Sequence, residues 1–156
     1  MTKIISLSKL YDLRSTIYDL STIVLATGVF DLLHSEHKKF LTAAKKSGDV
    51  LLVGLESGAR VRQLKGSTRP LNPISIRLRH LAHLNLADYV FKLPQNLDTQ
   101  KGREDFIQKL HPHVLAVSSH TPNLAEKNRI MHLVSGCVKI VHQHNPSIST
   151  TKLLAS

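Results

Sequence analysis

Ile23-Val24-Leu25-Ala26-Thr27-Gly28-Val29-Phe30-Asp31-Leu32-Leu33-His34-Ser35-Glu36-His37 joins an apolar run to a glycine turn and then to a helical pattern. That order is the layout of a buried strand feeding a helix whose first N–H groups lie open to an anion. His34 and His37 stand three residues apart, so on a helix they share one face, with Cβ atoms roughly 5–6 Å apart. Two imidazoles beside free backbone N–H groups can hold a phosphate as negative charge builds on it. The stretch therefore points to nucleotide chemistry. Within it, Glu36 puts a carboxylate where the anion would approach, unless it turns outward on its helix or pairs with a nearby Lys39 or Lys38.

Working outward, the same alternation repeats. Leu7, Leu10, Leu13 and Ile17 recur at helical spacing behind Ser6 as cap, which predicts an N-terminal helical segment within residues 1–20. Strands are expected over Thr22–Ala26, Val50–Leu55, Tyr89–Leu93, Val114–Val117 and Val138–His142. Helices are expected over Glu36–Lys46, Ile74–Leu86, Arg103–Leu110 and Leu124–Leu133, with a short one from Thr150. Arg60–Pro73, polar and basic with Gly66 and two prolines, reads as a mobile loop with a short helical start. Strands alternating with helices predict an α/β, Rossmann-like single domain over 1–156, a five-stranded parallel sheet flanked by helices. Ligands of such sheets bind outside the carboxyl ends of the strands. His34, the 65–73 loop, Ser118–Thr121 and Ser149–Thr151 all follow strands and can converge there.

Composition bounds the reading. Of the 156 residues 42% are hydrophobic and only 4% aromatic, so the core is aliphatic, as doubly covered parallel strands require. The lone Cys137 excludes an intramolecular disulfide or a cysteine-based zinc cluster; it reads as a packed, inert thiol in a reducing cytosol. Met1–Leu7 lacks the apolar core of a secretory signal, and no run nears the ~20 residues of a membrane span. A soluble, cytoplasmic protein without a membrane partner is expected. The net charge of +10 attracts anions. The cations are spread along the chain without aromatic interleaving, so nucleic acid is not the expected partner.

Several residue types fit phosphate chemistry. Thr27 and Gly28 make a turn that lets backbone N–H groups approach a phosphate. Asp31 reads as an orienting residue for that turn, and Phe30 as packing beside it rather than as a base-stacking platform. Arg62, Lys65 and Arg69 are candidates to hold phosphates or form a solvated basic loop, while Ser149, Thr150 and Thr151 cap a helix start and can cradle a phosphate. The further pairs His80/His83, His111/His113 and His142/His144 read as surface or packing residues. No mixed ligand set marks a metal site.

Gly28 to His37, Lys65-Gly66-Ser67-Thr68-Arg69-Pro70 and Ile148-Ser149-Thr150-Thr151-Lys152-Leu153-Leu154 together resemble the nucleotidyltransferase superfamily that carries a His-x-Gly-His signature. Lys3–Leu7, Leu13-Arg14 and Lys45–Val53 are most similar to its adenylyltransferase branch from ADP-heptose synthase, with glycerol-3-phosphate cytidylyltransferase second. The resemblance implies transfer of AMP (or CMP) from ATP or CTP, carried with Mg²⁺, to a small phosphorylated sugar or polyol such as heptose 1-phosphate, with release of pyrophosphate. It implies catalytic roles for His34, His37 and Lys65. It places Thr27, Gly28, Phe30, Arg62, Arg69, Ser149, Thr150 and Thr151 around the nucleotide, and Ser118, Ser119 and His120 on the acceptor side. A homodimer is left open. Two positions depart from the pattern: Glu36 stands for its glycine, and Ala116-Val117-Ser118-Ser119-His120-Thr121 for Val-Lys-Gly-Gly-Asp-Tyr. These departures support a second reading, a catalytically impaired relic that binds a nucleotide or phosphate or serves as a protein-interaction module.

Overall fold

The computed structural model describes residues 1–18, 21–143, 145 and 147–155; the expected helix end at Leu20 and the expected pairing of His144 lie outside them. In chain order the elements are β1 (Lys3–Ile4), α1 (Leu7–Tyr18), β2 (Ile23–Gly28), α2 (Ser35–Lys45), β3 (Val50–Leu55), α3 (Gly58–Lys65) and α4 (Ile74–His83). They continue with β4 (Tyr89–Lys92), α5 (Gln100–Leu110), β5 (Val114–Ser118), α6 (Leu124–His132), β6 (Cys137–His142) and α7 (Thr150–Ala155).

The strands form one sheet in the order β1-β4-β3-β2-β5-β6, and each neighbouring pair is parallel. The fold is α/β and Rossmann-like as expected, but the sheet has six strands rather than five. The additional strand is β1, only two residues long, paired at Lys3↔Tyr89 and Ile4↔Val90. A run that short carries no period of its own. It exists because β4 offers a free edge: Lys3 N–H donates to the Asp88 carbonyl and Ile5 N–H to that of Val90, each at 3.0 Å.

Alternation along the central strands explains why both faces are covered. Ile23 and Leu25 of β2, with Leu115 and Val117 of β5, pack against Leu10, Phe106, Leu110 and Met131 of α1, α5 and α6. Val24, Ala26, Val114 and Ala116 face the other way, onto Leu41, Ala44 and Leu81 of α2 and α4. The resulting three layers bury residues 23–26, 51–55 and 114–117, the usual condition of a parallel sheet. At its amino end β2 is held by His113, whose Nδ1 accepts the Ile23 N–H at 2.9 Å, so this histidine does serve the packing. Cys137, by contrast, is exposed rather than packed, because it opens the edge strand β6. Among the described residues no helix is long and apolar enough to cross a membrane.

From β2 the chain builds outward through β3 and β4, then returns to the other side of β2 for β5 and β6. The switch point therefore lies between the carboxyl ends of β2 and β5, where open sheets of this type form their crevice.

Candidate active site

A cavity of about 350 Å³ opens at that switch point, a volume in the range of small-ligand sites. Thr27 and Gly28 end β2 at its floor. Phe30 takes a left-handed backbone, φ 49°, which a bulky residue adopts only when its surroundings enforce it. Its ring folds back over residue 28, where a Cβ would come within 2.8 Å of Phe30 Cε2; only glycine fits there. The same ring lies tilted against His37, centroids 5.2 Å apart. Phe30 is thus a buried wedge under the site, not an exposed platform.

His34 precedes α2 in extended conformation, and His37 sits in its first turn. Their rings stack with centroids 3.7 Å apart and planes 17° apart. His34 N–H donates to His37 Nδ1 at 3.4 Å, which leaves Nε2 to carry the proton of the neutral His37 ring. Burial, reinforced by the neighbouring His34, pushes His37 down to about 4, with the Leu32 backbone pulling weakly the other way. At neutral pH His37 is therefore an uncharged hydrogen-bond donor.

Asp31 organises what comes next. Its Oδ2 accepts the Leu71 N–H at 2.8 Å and Arg69 Nε at 3.1 Å, while Oδ1 accepts the Asn72 N–H at 3.0 Å. Burial alone would raise this carboxyl, but the two backbone donors and the Arg69 guanidinium outweigh it and hold Asp31 below its ordinary value. Residues 58–65 are a helix, and the segment after it is pinned at 69–72 rather than loose. From there Arg69 Nη1 reaches Thr151 Oγ1 at 3.4 Å, and Thr150 Oγ1 donates to the Leu32 carbonyl at 3.1 Å. Three motifs far apart in the chain are tied together by these bonds.

Arg77 locks the same edge from beneath. It is fully buried in α4; Nε donates to the Asn72 carbonyl at 3.0 Å, and Nη1 to those of Val29 at 3.1 Å and Glu56 at 2.8 Å. No motif in the chain marks Arg77. Its one sequence signal is position: Arg77 sits on the Ile74–Leu78–Leu81 face, where a charge is out of place.

Glu36 also lines the cavity, and its side chain is only 6% exposed. Oε1 lies 3.2 Å from His142 Nε2 on β6, and Oε2 3.2 Å from Lys39 Nζ. Burial acts to raise this carboxyl, but the hydrogen bonds and charge from Lys39 and His142 prevail and hold it below its ordinary value. Glu36 is held ionised, with Lys39 as its counter-charge and His142 as its hydrogen-bond partner. His142, expected at the surface or in the packing, is a cavity residue.

The model of the cytidylyltransferase-like family matches residues 25–155, a span that holds every element of this site. The chain belongs to that family. Among curated proteins it is similar to the bifunctional protein HldE of Helicobacter pylori (strain G27), 36% identical over 141 residues, which are 86% of this chain and 29% of that protein. It is likewise similar to the bifunctional protein HldE of Pelobacter propionicus, 38% identical over 120 residues, 76% of this chain and 24% of that protein. The chain thus spans about a quarter of the length of the curated relatives it matches. Among solved structures it is similar to the lipopolysaccharide core biosynthesis protein from Thermoplasma volcanium GSS1, with TM-score 0.65, 26% identity, and coverage of 80% of this chain and 98% of that one. It also shares its fold with pantoate-beta-alanine ligase from Francisella tularensis, TM-score 0.62 at 14% identity, covering 99% of this chain and 76% of that one.

In this cytidylyltransferase-like cavity Lys65, Arg69, Ser149, Thr150 and Thr151 line one side, and Ser118, His120 and Thr121 another. Two expected site residues stand apart. Arg62 is exposed on α3 and lies off the wall. Ser119 donates its backbone N–H to the His142 carbonyl at 2.9 Å rather than joining the lining. A second cavity of about 450 Å³ adjoins the first through Thr27, Leu115 and Lys127, and Glu56, Arg60 and Arg103 face it. Burial lowers Lys127 and raises Glu56 from their ordinary values. Glu56 and Arg60 arrive from the end of β3 and the start of α3, whereas Arg103 and Lys127 follow no motif and are brought there by the packing of α5 and α6 beside β2.

Proposed function

We propose that this chain is a nucleotidyltransferase that moves a nucleoside monophosphate from a triphosphate to the phosphate of a small sugar or polyol. An oxygen of the acceptor phosphate attacks the α-phosphorus; the bond to the bridging β-oxygen breaks, and pyrophosphate leaves with that electron pair. Chemistry of this kind asks the protein mainly for placement and charge stabilisation. The observation that carries the reading is the tying of Asp31, Arg69, Thr151 and Thr150 into one edge beside the stacked His34 and His37.

His34 and His37 donate to the α-phosphate, where charge grows during transfer. Arg69, Thr150, Thr151, Ser149 and Lys65 hold the outer phosphates, Thr27 and Gly28 bring backbone close to them, and Phe30 keeps the floor in place. Ser118 and His120 face the same space, while the adjoining cavity, where Arg60, Arg103 and Lys127 outnumber Glu56 and Glu126 and Arg103 pairs with Glu126, has a small excess of positive charge that suits a phosphorylated acceptor. The two carboxylates of the first cavity, Asp31 and Glu36, are both engaged with cations or backbone donors. Mg²⁺ fits here as the counter-ion that enters on the triphosphate, where it neutralises phosphate charge, not as an ion held by a protein cage. The pairing of Glu36 with Lys39 supports this reading over the relic, whose remaining support is the replaced 116–121 segment.

ATP with heptose 1-phosphate is the first pair to test, given the similarity to the adenylyltransferase branch of ADP-heptose synthase and to the lipopolysaccharide core biosynthesis protein. Calorimetric titration with ATP and CTP in Mg²⁺ should show one of them binding in the range of about 1 μM–1 mM usual for enzyme substrates. A pyrophosphate-release screen over phosphorylated sugars and polyols should then identify the acceptor. No binding of either triphosphate and no pyrophosphate with any acceptor would overturn the proposal.

A further inference from the structure

We propose that His142 is a positioning residue for the triphosphate subsite, clamping Glu36 so that the first turn of α2 can accept an anion. The inference rests on the nucleotidyltransferase reading. The strand itself is shaped for this task. β6 pairs with β5 at Val117↔Ile140 and then at Ser118↔His142, so one residue of β6 is skipped and the register shifts. A bulge of this kind re-aims a side chain. Ile140 stays half exposed, whereas two residues on the His142 ring reaches the cavity and the Glu36 carboxylate, 106 positions away in the chain. Ser119 fixes the turn by donating to the His142 carbonyl at 2.9 Å.

Lys39 cannot do the same work alone. Its side chain is 65% exposed, and an ion pair so open to water is weakened by solvent and salt; the His142 side chain is 15% exposed. Take away His142, and a carboxylate that is 6% exposed faces the incoming phosphates with one solvated partner. The His142 N–H is a hydrogen bond to a charged group, and a bond of that kind is worth about tenfold or more in an equilibrium, which sets the scale of the loss expected when it is removed.

The test is a double-mutant cycle in which binding of the Mg²⁺ complex of ATP and CTP is titrated at low salt, with circular dichroism to follow folding. His142→Ala should weaken binding about tenfold. Glu36→Gln should bind at least as tightly as wild type, and His142→Ala/Glu36→Gln should return to within about twofold of Glu36→Gln. His142→Gln, which keeps a side-chain N–H, should stay close to wild type. If His142→Ala does not fold, His142→Phe keeps the bulk without the donor and gives the same readout. Wild-type affinity in His142→Ala or His142→Phe, or an equal loss in the double variant, would overturn the inference while leaving the nucleotidyltransferase reading intact. A wild-type protein that binds neither triphosphate would overturn both.

Discussion

Asp31→Asn is the perturbation whose consequence follows most directly from the geometry. The carboxylate accepts Leu71 N–H and Arg69 Nε on one oxygen and Asn72 N–H on the other. Asparagine has a single acceptor oxygen, so in either orientation its NH₂ group must face a donor. Arg69, whose side chain is 8% exposed, then keeps its charge without a counter-charge. Breaking a buried pair from one side costs about 3–5 kcal/mol, a large share of the roughly 5–15 kcal/mol that holds a domain folded. With a urea slope of about 2 kcal/mol/M, the unfolding midpoint should fall by about 1.5–2.5 M at neutral pH. Hydrogen exchange at the Leu71 and Asn72 amides should accelerate in the same variant. The sign with pH is equally specific. Because the folded carboxyl titrates below its ordinary value, its stabilisation is complete above about 4 and disappears as pH falls through the folded pKa. The gap between wild type and Asp31→Asn should therefore close in acid. A midpoint shift under about 0.5 M at neutral pH with an unchanged slope would refute the reasoning, and would mean that Arg77 alone holds the 69–72 turn.

His34→Ala and His37→Ala should each lower kcat by about 10²–10³ with a smaller effect on triphosphate affinity, and since the rings stack at 3.7 Å the double variant should lose less than the product. His37 titrates near 4 when folded against an ordinary 6.5, so the stability gained by keeping it neutral is full above 6.5 and is lost as pH falls from there toward 4; His37→Gln should flatten that part of the stability curve. A bound triphosphate should raise the pKa of His37, so that binding between about pH 4 and 6.5 takes up protons, read as a calorimetric enthalpy that depends on the buffer. Arg77→Met deprives the Asn72, Val29 and Glu56 carbonyls of their donor and should cost about 3 kcal/mol or more in urea unfolding, with Arg77→Lys recovering only part.

The elements themselves were written along the chain. Val50–Leu55 reads as a strand and folds as one over those same residues, because a strand buried on both faces must be apolar at every position. Leu41 and Ala44 on α2, and Leu78 and Leu81 on α4, mark their buried faces by helical spacing. The glycine turn after β2 and the motifs that follow strands also placed the cavity at the carboxyl edge in advance, since in a parallel sheet every such end points the same way. The basic segment was only half readable. The resemblance of its motif named Arg62, Lys65 and Arg69, of which only the last two line the cavity, and the Asp31 bonds that pin it come from a turn some 40 positions earlier.

The amino-acid sequence by itself determined the α/β alternation, the family motifs and the edge on which they meet, because each is a local property of spacing, burial period or turn chemistry. Only the tertiary structure decided the sixth strand, the knot under Arg77, the adjoining cavity and the fate of Glu36. Read in isolation, Glu36 is an acid facing an anion site; in the fold it is an ion paired with Lys39 and hydrogen-bonded to His142. A carboxylate's effect depends on which charges lie within a few ångströms of it. Here helical spacing supplies Lys39, while His142 arrives through a register shift in β6 that no periodicity in the chain encodes.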